Sequence, residues 1–227
     1  NNMFKNGFRF NGGSIPEVSS LEKVEILKGS AALLYGNVAP GGIMNMATKT
    51  PNFNTGGEIS IQAGSYNFYK PSADVYGVFS KSIAYRFNGS YENSESFRDV
   101  VKRARYYINP SLLFNISSRT QITLQGDLMS DNWTPDFGTI LIGKQIYNLG
   151  RSNYYGALWS NGNTKTASIS ALVNHSLNKN WKLNFNSSYQ NYDRESKGTE
   201  RIQITNSNGT WSRPLGQNKN LEAILGE

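Results

Sequence analysis

The sequence contains no cysteine and only one histidine, His175. These absences exclude a disulfide-stabilised scaffold and a metal site built from cysteine and histidine. Long apolar runs are also missing, because no segment approaches the roughly 20 apolar residues that a membrane-spanning helix needs. A helical membrane protein is therefore excluded. A transmembrane β-barrel is not, because its strands expose apolar side chains on one face only.

Acidic residues are outnumbered, with 16 Asp and Glu against 23 Lys and Arg, which gives a net charge of +7. The basic residues are dispersed along the chain, and the densest group, at 102–105, lies beside a predicted loop. Proteins that bind nucleic acid cluster their basic residues in one patch or stripe. We therefore expect no nucleic-acid partner and assign the charge to loop solubility and to contacts with acidic groups.

A secretory leader is not visible, because the chain opens with NNMFKNGF and has no apolar stretch there. The last residues, LEAILGE, do not complete a recognisable element. We expect the sequence to be a piece of a longer protein.

The first 52 residues carry a pattern of short elements separated by glycine and proline. Pro16 followed by Glu17 predicts a short helix over 15–22, because proline is favoured at the first helical position. Residues 24–27 alternate weakly and include the β-branched Val24 and Ile26, which predicts a strand. An alternative is one amphipathic helix over 19–35, which Gly29 in its interior would destabilise by about 1 kcal/mol.

The second half of this region contains further turn signals and another strand. Residues 31–35 predict a single helical turn that Gly36 closes. Residues 40–42 predict a glycine-dependent turn. Residues 43–48 predict a second strand, which stops before Pro51. We expect Pro51 to mark the boundary between a small N-terminal domain at 1–52 and a second domain at 53–227.

From residue 57 the period of the apolar residues changes to two. Seven segments alternate between apolar and polar residues, which predicts strands with one face of each kind; they lie near residues 58–63, 72–79, 83–92, 106–116, 121–128, 166–177 and 181–190. Most are longer than the five or six residues that are usual in soluble sheets and match tilted membrane strands of about 9 to 11 residues.

The connections between these segments alternate in length. Tight turns are predicted at 80–82, 117–119 and 178–180, and longer loops follow the third, fifth and seventh strands. Outer-membrane barrels have short turns on one side and long loops on the other. A soluble β-sandwich shares the strand alternation, but it has less reason for this rhythm. Seven strands do not close a wide barrel, so we expect further strands after residue 227.

Several motifs resemble the TonB-dependent outer-membrane receptors, in particular the ferric-siderophore branch related to ferrichrome receptors. In the N-terminal domain they are SLEKVEILKG at 20–29, LYG at 34–36, PGGIMN at 40–45 and TKTP at 48–51. In the strand region they are GSYNFY at 64–69, DVYG at 74–77, AYR at 84–86 and TPDFG at 134–138. The resemblance covers nearly the whole chain.

The resemblance implies an all-β transmembrane barrel of 22 antiparallel strands with an α+β plug domain in its lumen. Residues 1–52 would be the C-terminal part of the plug, and residues 53–227 would be the first strands with their extracellular loops. Such receptors bind a ferric siderophore at the extracellular face and import it into the periplasm of a Gram-negative bacterium. Energy comes from TonB, with ExbB and ExbD, through a TonB box that is not among these residues.

The resemblance also implies candidate site residues. Glu25 and Lys28 would lie where the plug meets the barrel wall, although the family often has arginine at position 28 and lysine gives up bidentate pairing with carboxylates. Phe10 and Asn11 would lie near a plug apex that contacts the siderophore. Phe137 corresponds roughly to an aromatic residue that contacts siderophore in ferrichrome receptors.

Trp133 begins the same loop as Phe137, and both have a second interpretation. They would either contact the ligand or belong to an aromatic girdle at the membrane interface. Glu25 and Lys28 would otherwise be ordinary solvated charges. No cofactor or protein metal ligand is expected, because the siderophore oxygens hold the iron.

Other functions are less well supported by these residues. A receptor for cobalamin, haem or a glycan would share the same plug and wall. A passive porin has no reason to fill its lumen with a folded domain. An enzyme lacks a convincing Ser/His/Asp constellation. We expect a structural role for His175, since it lies on an apolar strand face near a turn.

Overall fold

The computed structural model describes residues 2–10, 15–29, 35–36, 41–138, 140–142, 145–147, 150–199, 203–204, 211–212 and 215–226. The strands of this part of the chain form one four-stranded sheet, one eight-stranded sheet and two small hairpins. None of the described helical residues forms a helix long and apolar enough to cross a membrane.

The four-stranded sheet contains the N-terminal strands in the order β2-β1-β4-β3. They are β1 Met3–Lys5, β2 Phe8–Arg9, β3 Leu21–Leu27 and β4 Ile43–Thr48. Strand β1 runs parallel to β4, and β3 runs antiparallel to it. Phe4 and Ile43 are buried at its centre, with Leu27 and Tyr35 packed against them. The predicted strands of this region are confirmed, and an uninterrupted helix over 19–35 is wrong.

The predicted helix over 15–22 is also wrong. Residues 15–18 are not helical, residues 19 and 20 form a turn, and β3 already begins at Leu21. The physical reason is the buried Glu17 side chain, whose carboxylate accepts hydrogen bonds from the N–H groups of Val18 and Ser19 and from Lys70 of a distant strand. These contacts hold the segment in a conformation that a helix does not allow.

The predicted glycine turns have the backbone that the sequence suggested. Gly36 has a φ of 78°, and Gly41 and Gly42 have φ values of 115° and 99°. At Gly42 a Cβ atom would also lie 2.5 Å from the carbonyl oxygen of Leu27, so the close approach itself requires glycine. Residues 31–34 of the predicted helical turn, and Pro40 of the predicted glycine turn, lie outside the described residues.

The eight-stranded sheet is antiparallel, with the order β16-β13-β12-β9-β8-β7-β6-β5. Its strands are β5 Gly56–Gly64, β6 Phe68–Ser80, β7 Ile83–Glu95, β8 Lys102–Ser117, β9 Thr120–Trp133, β12 Asn161–Ser176, β13 Lys182–Thr199 and β16 Leu215–Gly226. Two hairpins lie in the long connections: β10 Ile140–Ile142 with β11 Gln145–Tyr147, and β14 Gln203–Ile204 with β15 Trp211–Ser212. All seven predicted strands are present. Strand β16 was not predicted, because its polar sequence LGQNKNLEAILG alternates only weakly.

The predicted rhythm of short and long connections is confirmed. Turns of a few residues join β6 to β7, β8 to β9 and β12 to β13, whereas residues 134–160 separate β9 from β12. One exception lies on the long-loop side, where only residues 65–67 join β5 to β6. Tyr66 and Asn67 have φ values of 61° and 51° there, which lets the chain reverse within this short turn.

The large sheet exposes its apolar face and buries its polar face, which is the reverse of a sheet in a soluble protein. Its apolar residues are exposed, with 84% of Ile59 and 58% of Ile169 accessible. Its polar residues are covered, and Asn88, Asn109 and Asp131 are fully buried. A soluble β-sandwich buries the apolar faces of its sheets against each other, so this arrangement excludes it.

Candidate plug–wall interface and ligand-facing residues

The four-stranded sheet and its flanking segments, residues 2–52, are hereafter the plug, and the eight-stranded sheet is the wall. The plug lies against the polar face of β6 to β9, and side-chain contacts in three clusters connect the two. Each cluster joins plug residues to the inner face of the wall, and the first one combines plug segments that are far apart in sequence.

The first cluster surrounds Asp127 on β9. Lys5 of the plug forms an ion pair with the Asp127 carboxylate, and the Tyr107 hydroxyl donates to the same carboxylate oxygen at 2.6 Å. Ser20 of the plug contacts the Tyr107 oxygen at 2.5 Å. Because Tyr107 is 2% exposed, these bonds form away from bulk water, where hydrogen bonds to charged groups are strongest.

Uncharged groups extend this first cluster. The Gln125 side-chain oxygen accepts hydrogen bonds from Thr48 at 2.8 Å and from Asn6 at 3.0 Å. The Gln125 amide donates in turn to Asn109 at 3.2 Å. Asn6 and Thr48 also bond to each other, so β4 and the turn after β1 are fixed to the same point of the wall.

The second cluster is centred on Glu17. Lys70 of β6 donates to both Glu17 carboxylate oxygens, at 2.8 and 3.0 Å, and Arg105 of β8 lies 3.8 Å away. Arg105 is held from its other side by Asp131 at 2.8 Å, and Lys70 also lies 3.4 Å from Glu92. Two wall cations thus meet one plug carboxylate, and both keep a wall carboxylate as a second partner.

The environment of Glu17 favours its charged form. Burial raises the pKa of the Glu17 carboxyl, but the hydrogen bond and charge of Lys70, the N–H of Ser19 and the charge of Arg105 act in the opposite direction. Their sum holds the pKa of Glu17 below its ordinary value. The carboxylate is therefore ionised at neutral pH even though the residue is only 4% exposed.

The third cluster lies where the plug passes into the wall. Arg86 of β7 binds the Asp74 carboxylate with two parallel hydrogen bonds of 2.8 and 2.7 Å. Lys49 of the plug pairs with the same carboxylate at 2.9 Å. Arg86 also donates to the Thr50 carbonyl oxygen at 3.1 Å. The segment between β4 and β5 is thereby fixed to the first strands of the wall.

Glu25 and Lys28, the predicted plug–wall residues, do not take part in these clusters. Glu25 accepts a hydrogen bond from Asn45 at 3.0 Å and pairs with Lys23 at 2.7 Å, both within the plug. The hydrogen bonds of Lys23 and Asn45 lower the pKa of Glu25. Lys28 is exposed, and within the described residues no ion pair connects it to the wall. Their predicted partners belong to later strands, so this assignment stays a prediction.

Trp133 lies on the inner face of the wall. It shares its face with Asp127 and Asp131 of β9, and it is paired with Gly162 of β12. A Cβ atom at Gly162 would overlap the Trp133 ring, and the guanidinium of Arg194 lies 5.0 Å from the ring centroid. A membrane girdle would occupy the outer face. The position of Trp133 therefore favours the ligand-facing interpretation over the girdle.

Phe137 lies in the loop that follows β9, and it is 49% exposed. The preceding residue, Asp136, pairs with Arg98 of the β7–β8 loop at 3.1 Å. Arg98 also donates to the Asn153 carbonyl oxygen at 3.2 Å. These contacts hold the two loops together at the residue that precedes Phe137, whose side chain stays exposed.

Phe10 is more buried than Trp133 and Phe137. It is buried, and its ring lies 5.9 Å from Lys5, which binds Asp127. Six residues of β9 separate Asp127 from Trp133, which is about 20 Å at a rise of about 3.3 Å per residue. The structure therefore does not bring Phe10 and Trp133 together. Asn11 lies outside the described residues.

The remaining predictions concern metals and the histidine. Within the described part of the chain, no group of three His, Asp or Glu side chains is arranged to hold a metal ion. His175 lies on the outward side of β12, and its Nδ1 is 2.8 Å from the hydroxyl of Thr120 on the neighbouring strand. This contact fits the expected structural role.

The sequence did not indicate Lys5, Glu17 and Lys49 as the plug residues that contact the wall. Each is a single charged residue next to a strand or turn, and such residues are usually solvated. Their wall partners did carry a signal, because Lys70, Asp74 and Asp127 lie on the polar faces of amphipathic strands. The pairing between the two groups depends on the docked position of the plug.

Comparisons with known proteins agree with this geometry. No family model matches the chain. Over 180 residues, 77% of this chain and 25% of the relative, the sequence is 29% identical to the metal-pseudopaline receptor CntO of Pseudomonas aeruginosa. Over 137 residues, 58% of this chain and 19% of the relative, it is 34% identical to the ferrioxamine receptor of Yersinia enterocolitica. The predicted resemblance to siderophore receptors is confirmed.

The fold agrees as well. The crystal structure of the ferric-catecholate import receptor Fiu from Escherichia coli, in its open form, superposes with a TM-score of 0.87 and 24% identity. The match covers 99% of this chain and 38% of that receptor. This likeness confirms the predicted fold class, a plug domain next to part of an antiparallel barrel. The chain spans a quarter or less of the length of the two curated relatives.

Proposed function

We propose that this chain is part of a TonB-dependent outer-membrane receptor that binds a ferric siderophore at its extracellular face and imports it into the periplasm. The observation that carries the proposal is the polar interface between plug and wall. Lys5, Glu17 and Lys49 occupy the inner face at β6, β8 and β9. A lumen filled in this way needs an energised partner to open it, and TonB, with ExbB and ExbD, is the partner of such receptors.

The outer face of the wall supports the membrane part of the proposal. On β8 the outward positions from Ile108 to Ile116 are apolar, and both ends of this series are exposed. Eight residues at about 3.3 Å each span about 26 Å along the strand, and a tilt of roughly 40° reduces this to about 20 Å. This height is close to the apolar band of about 25 Å that outer-membrane barrels present to lipid.

The cargo is the part of the proposal with a second candidate. The relative CntO is named as a receptor for metal-pseudopaline, and this name does not restrict the metal to iron. A metal chelate other than a ferric siderophore is therefore the alternative cargo. Cobalamin, haem and glycans stay as further alternatives, which no observation on this chain favours.

Uptake by intact cells tests the proposal. The full-length gene is expressed in a Gram-negative strain that lacks its own siderophore receptors, with an otherwise identical strain that also lacks TonB as the control. We expect uptake of radioactive iron from a ferric hydroxamate or catecholate, and no uptake without TonB. Uptake of a zinc or nickel chelate alone would favour the alternative cargo, and a response to glycans alone would overturn the proposal.

Conductance distinguishes a receptor from a passive porin. The full-length protein is inserted into planar lipid bilayers, and single-channel current is recorded. We expect no large constant current while the plug is docked, because plug side chains occupy the inner face. A large, steady current from the intact protein would contradict the proposal and favour a porin.

A further inference from the structure

The end of the wall that carries the short turns is uniformly basic. Each short turn contains one cation; the three are Lys81, Arg119 and Lys179. No Asp or Glu occurs within six residues of any of them along the chain. All three side chains are exposed, and within the described part of the chain none of them forms an ion pair. We call these three residues the basic rim.

The opposite end of the wall has no such bias. The loop after β7 contains Arg98 and Asp99, and Arg98 pairs with Asp136 of the next long loop at 3.1 Å. At the same end of β13, Lys197 pairs with Glu195 at 3.1 Å. Cations there lie among carboxylates that offset their charge. The uniform sign of the basic rim is therefore a property of one end only.

Exposed apolar side chains continue directly from the basic rim onto the outer face. Phe79 precedes the first short turn and is 69% exposed, and Trp181 lies between Lys179 and Lys182 and is 68% exposed. Phe79 stacks on Tyr85, with ring centroids 4.6 Å apart. Aromatic residues of this kind mark the level at which hydrocarbon gives way to headgroups. The cations thus lie at the level of the headgroups.

We propose that the basic rim binds the phosphates of anionic phospholipid headgroups in the leaflet next to the short turns. The inference rests on the proposed membrane insertion and goes beyond the transport function. Charge complementarity supports it, because three cations without carboxylate partners face a surface of phosphates. Continuity supports it as well, because one lipid can place its acyl chains on the apolar face and its phosphate on the rim. Bound lipids would hold the barrel at a fixed depth.

Lipid selectivity of the full-length receptor tests this proposal. The receptor is reconstituted in phosphatidylcholine vesicles that contain a trace of spin-labelled phosphatidylglycerol or phosphatidylcholine, and the motionally restricted fraction of each label is measured. We expect the wild type to prefer phosphatidylglycerol several-fold, since one cation at an anionic headgroup contributes up to roughly fivefold. We expect the variant K81Q/R119Q/K179Q to lose most of this preference.

A matched variant removes three cations from the other end of the wall. K102Q/R151Q/K197Q changes the net charge equally, and we expect it to retain the preference of the wild type. Equal loss in both variants, or no loss in the rim variant, would overturn the proposal. If the rim variant does not insert, rising salt is applied to the wild type: a preference that salt abolishes supports the basic rim, and one that salt leaves unchanged overturns it.

The outcome is separable from that of the proposed function. A receptor without siderophore uptake that still shows the rim-dependent preference would refute only the transport proposal. A receptor that transports normally and shows no preference would refute only the lipid proposal.

Discussion

Replacing Glu17 by glutamine should loosen the plug from the wall. The side chain keeps its size and one acceptor oxygen, but it loses the charge that Lys70 and Arg105 face at 2.8 and 3.8 Å. A hydrogen bond to a charged group contributes about 1.5 to 3 kcal/mol. Lys70 and Arg105 each retain a wall carboxylate, Glu92 and Asp131, so the loss should fall short of the 3 to 5 kcal/mol typical of a broken buried pair.

We therefore expect a loss of about 2 to 3 kcal/mol in the free energy that holds the plug segment at 15–27 against the wall. This corresponds to a rise of about 30- to 150-fold in the rate of amide hydrogen exchange, provided that exchange follows local opening. The measurement is hydrogen exchange with mass spectrometry on the full-length receptor in detergent micelles. Strands β8 and β9 of the same protein report whether the wall itself is intact.

A matched substitution in the same segment provides the control. Glu25→Gln likewise removes one carboxylate from the plug, but Glu25 pairs only with residues of the plug. We therefore expect no change in the exchange of residues 15–20. Equal protection of this segment in E17Q and the wild type would refute the assignment of Glu17. An equal effect of E25Q would show that any loss of charge in the plug has this result.

The same carboxylate predicts a dependence on pH. Because the pKa of Glu17 is lower in the docked plug than in the open chain, its stabilisation is fully present above the ordinary glutamate pKa of about 4.3 and is lost as the pH falls through the lower docked value. Thermal unfolding of the full-length receptor from about pH 7 to about pH 3 should show this loss. The E17Q variant should lack that component, and an identical profile for both proteins would contradict it.

Three further substitutions test other parts of the site. Tyr107→Phe removes a buried hydroxyl that bonds to Asp127 and Ser20, and it should cost about 1 to 3 kcal/mol of plug docking, read as faster exchange at Ser20. Trp133→Ala should weaken siderophore binding about tenfold or more if its ring contacts the ligand, measured by fluorescence quenching or calorimetry, whereas Trp181→Ala on the outer face should not. Gly162→Ala should displace the Trp133 ring and reproduce part of that loss; normal affinity in both variants would contradict a ligand-facing Trp133.

The sequence alone was sufficient for seven of the eight wall strands. Apolar and polar residues alternate along each strand, because successive side chains point to opposite faces. The predicted second strand at 43–48 matches β4 at both ends, since glycine and proline bracket it. The short turns were also predicted, because two or three polar residues between alternating segments are too few for any longer connection. These features depend on neighbours in the chain, and a local pattern records them.

The contacts between plug and wall were decided by the tertiary structure. The helix predicted from Pro16 and Glu17 does not form, because Lys70, 53 residues away, binds the Glu17 carboxylate. Lys5 and Asp127 pair with each other although 122 residues separate them, and no local pattern specifies such a pairing. The same holds for Trp133, whose ring packs against Gly162 of β12, 29 residues away. The local alternation thus determined which faces are polar, and the docked plug determined which of those polar groups have partners.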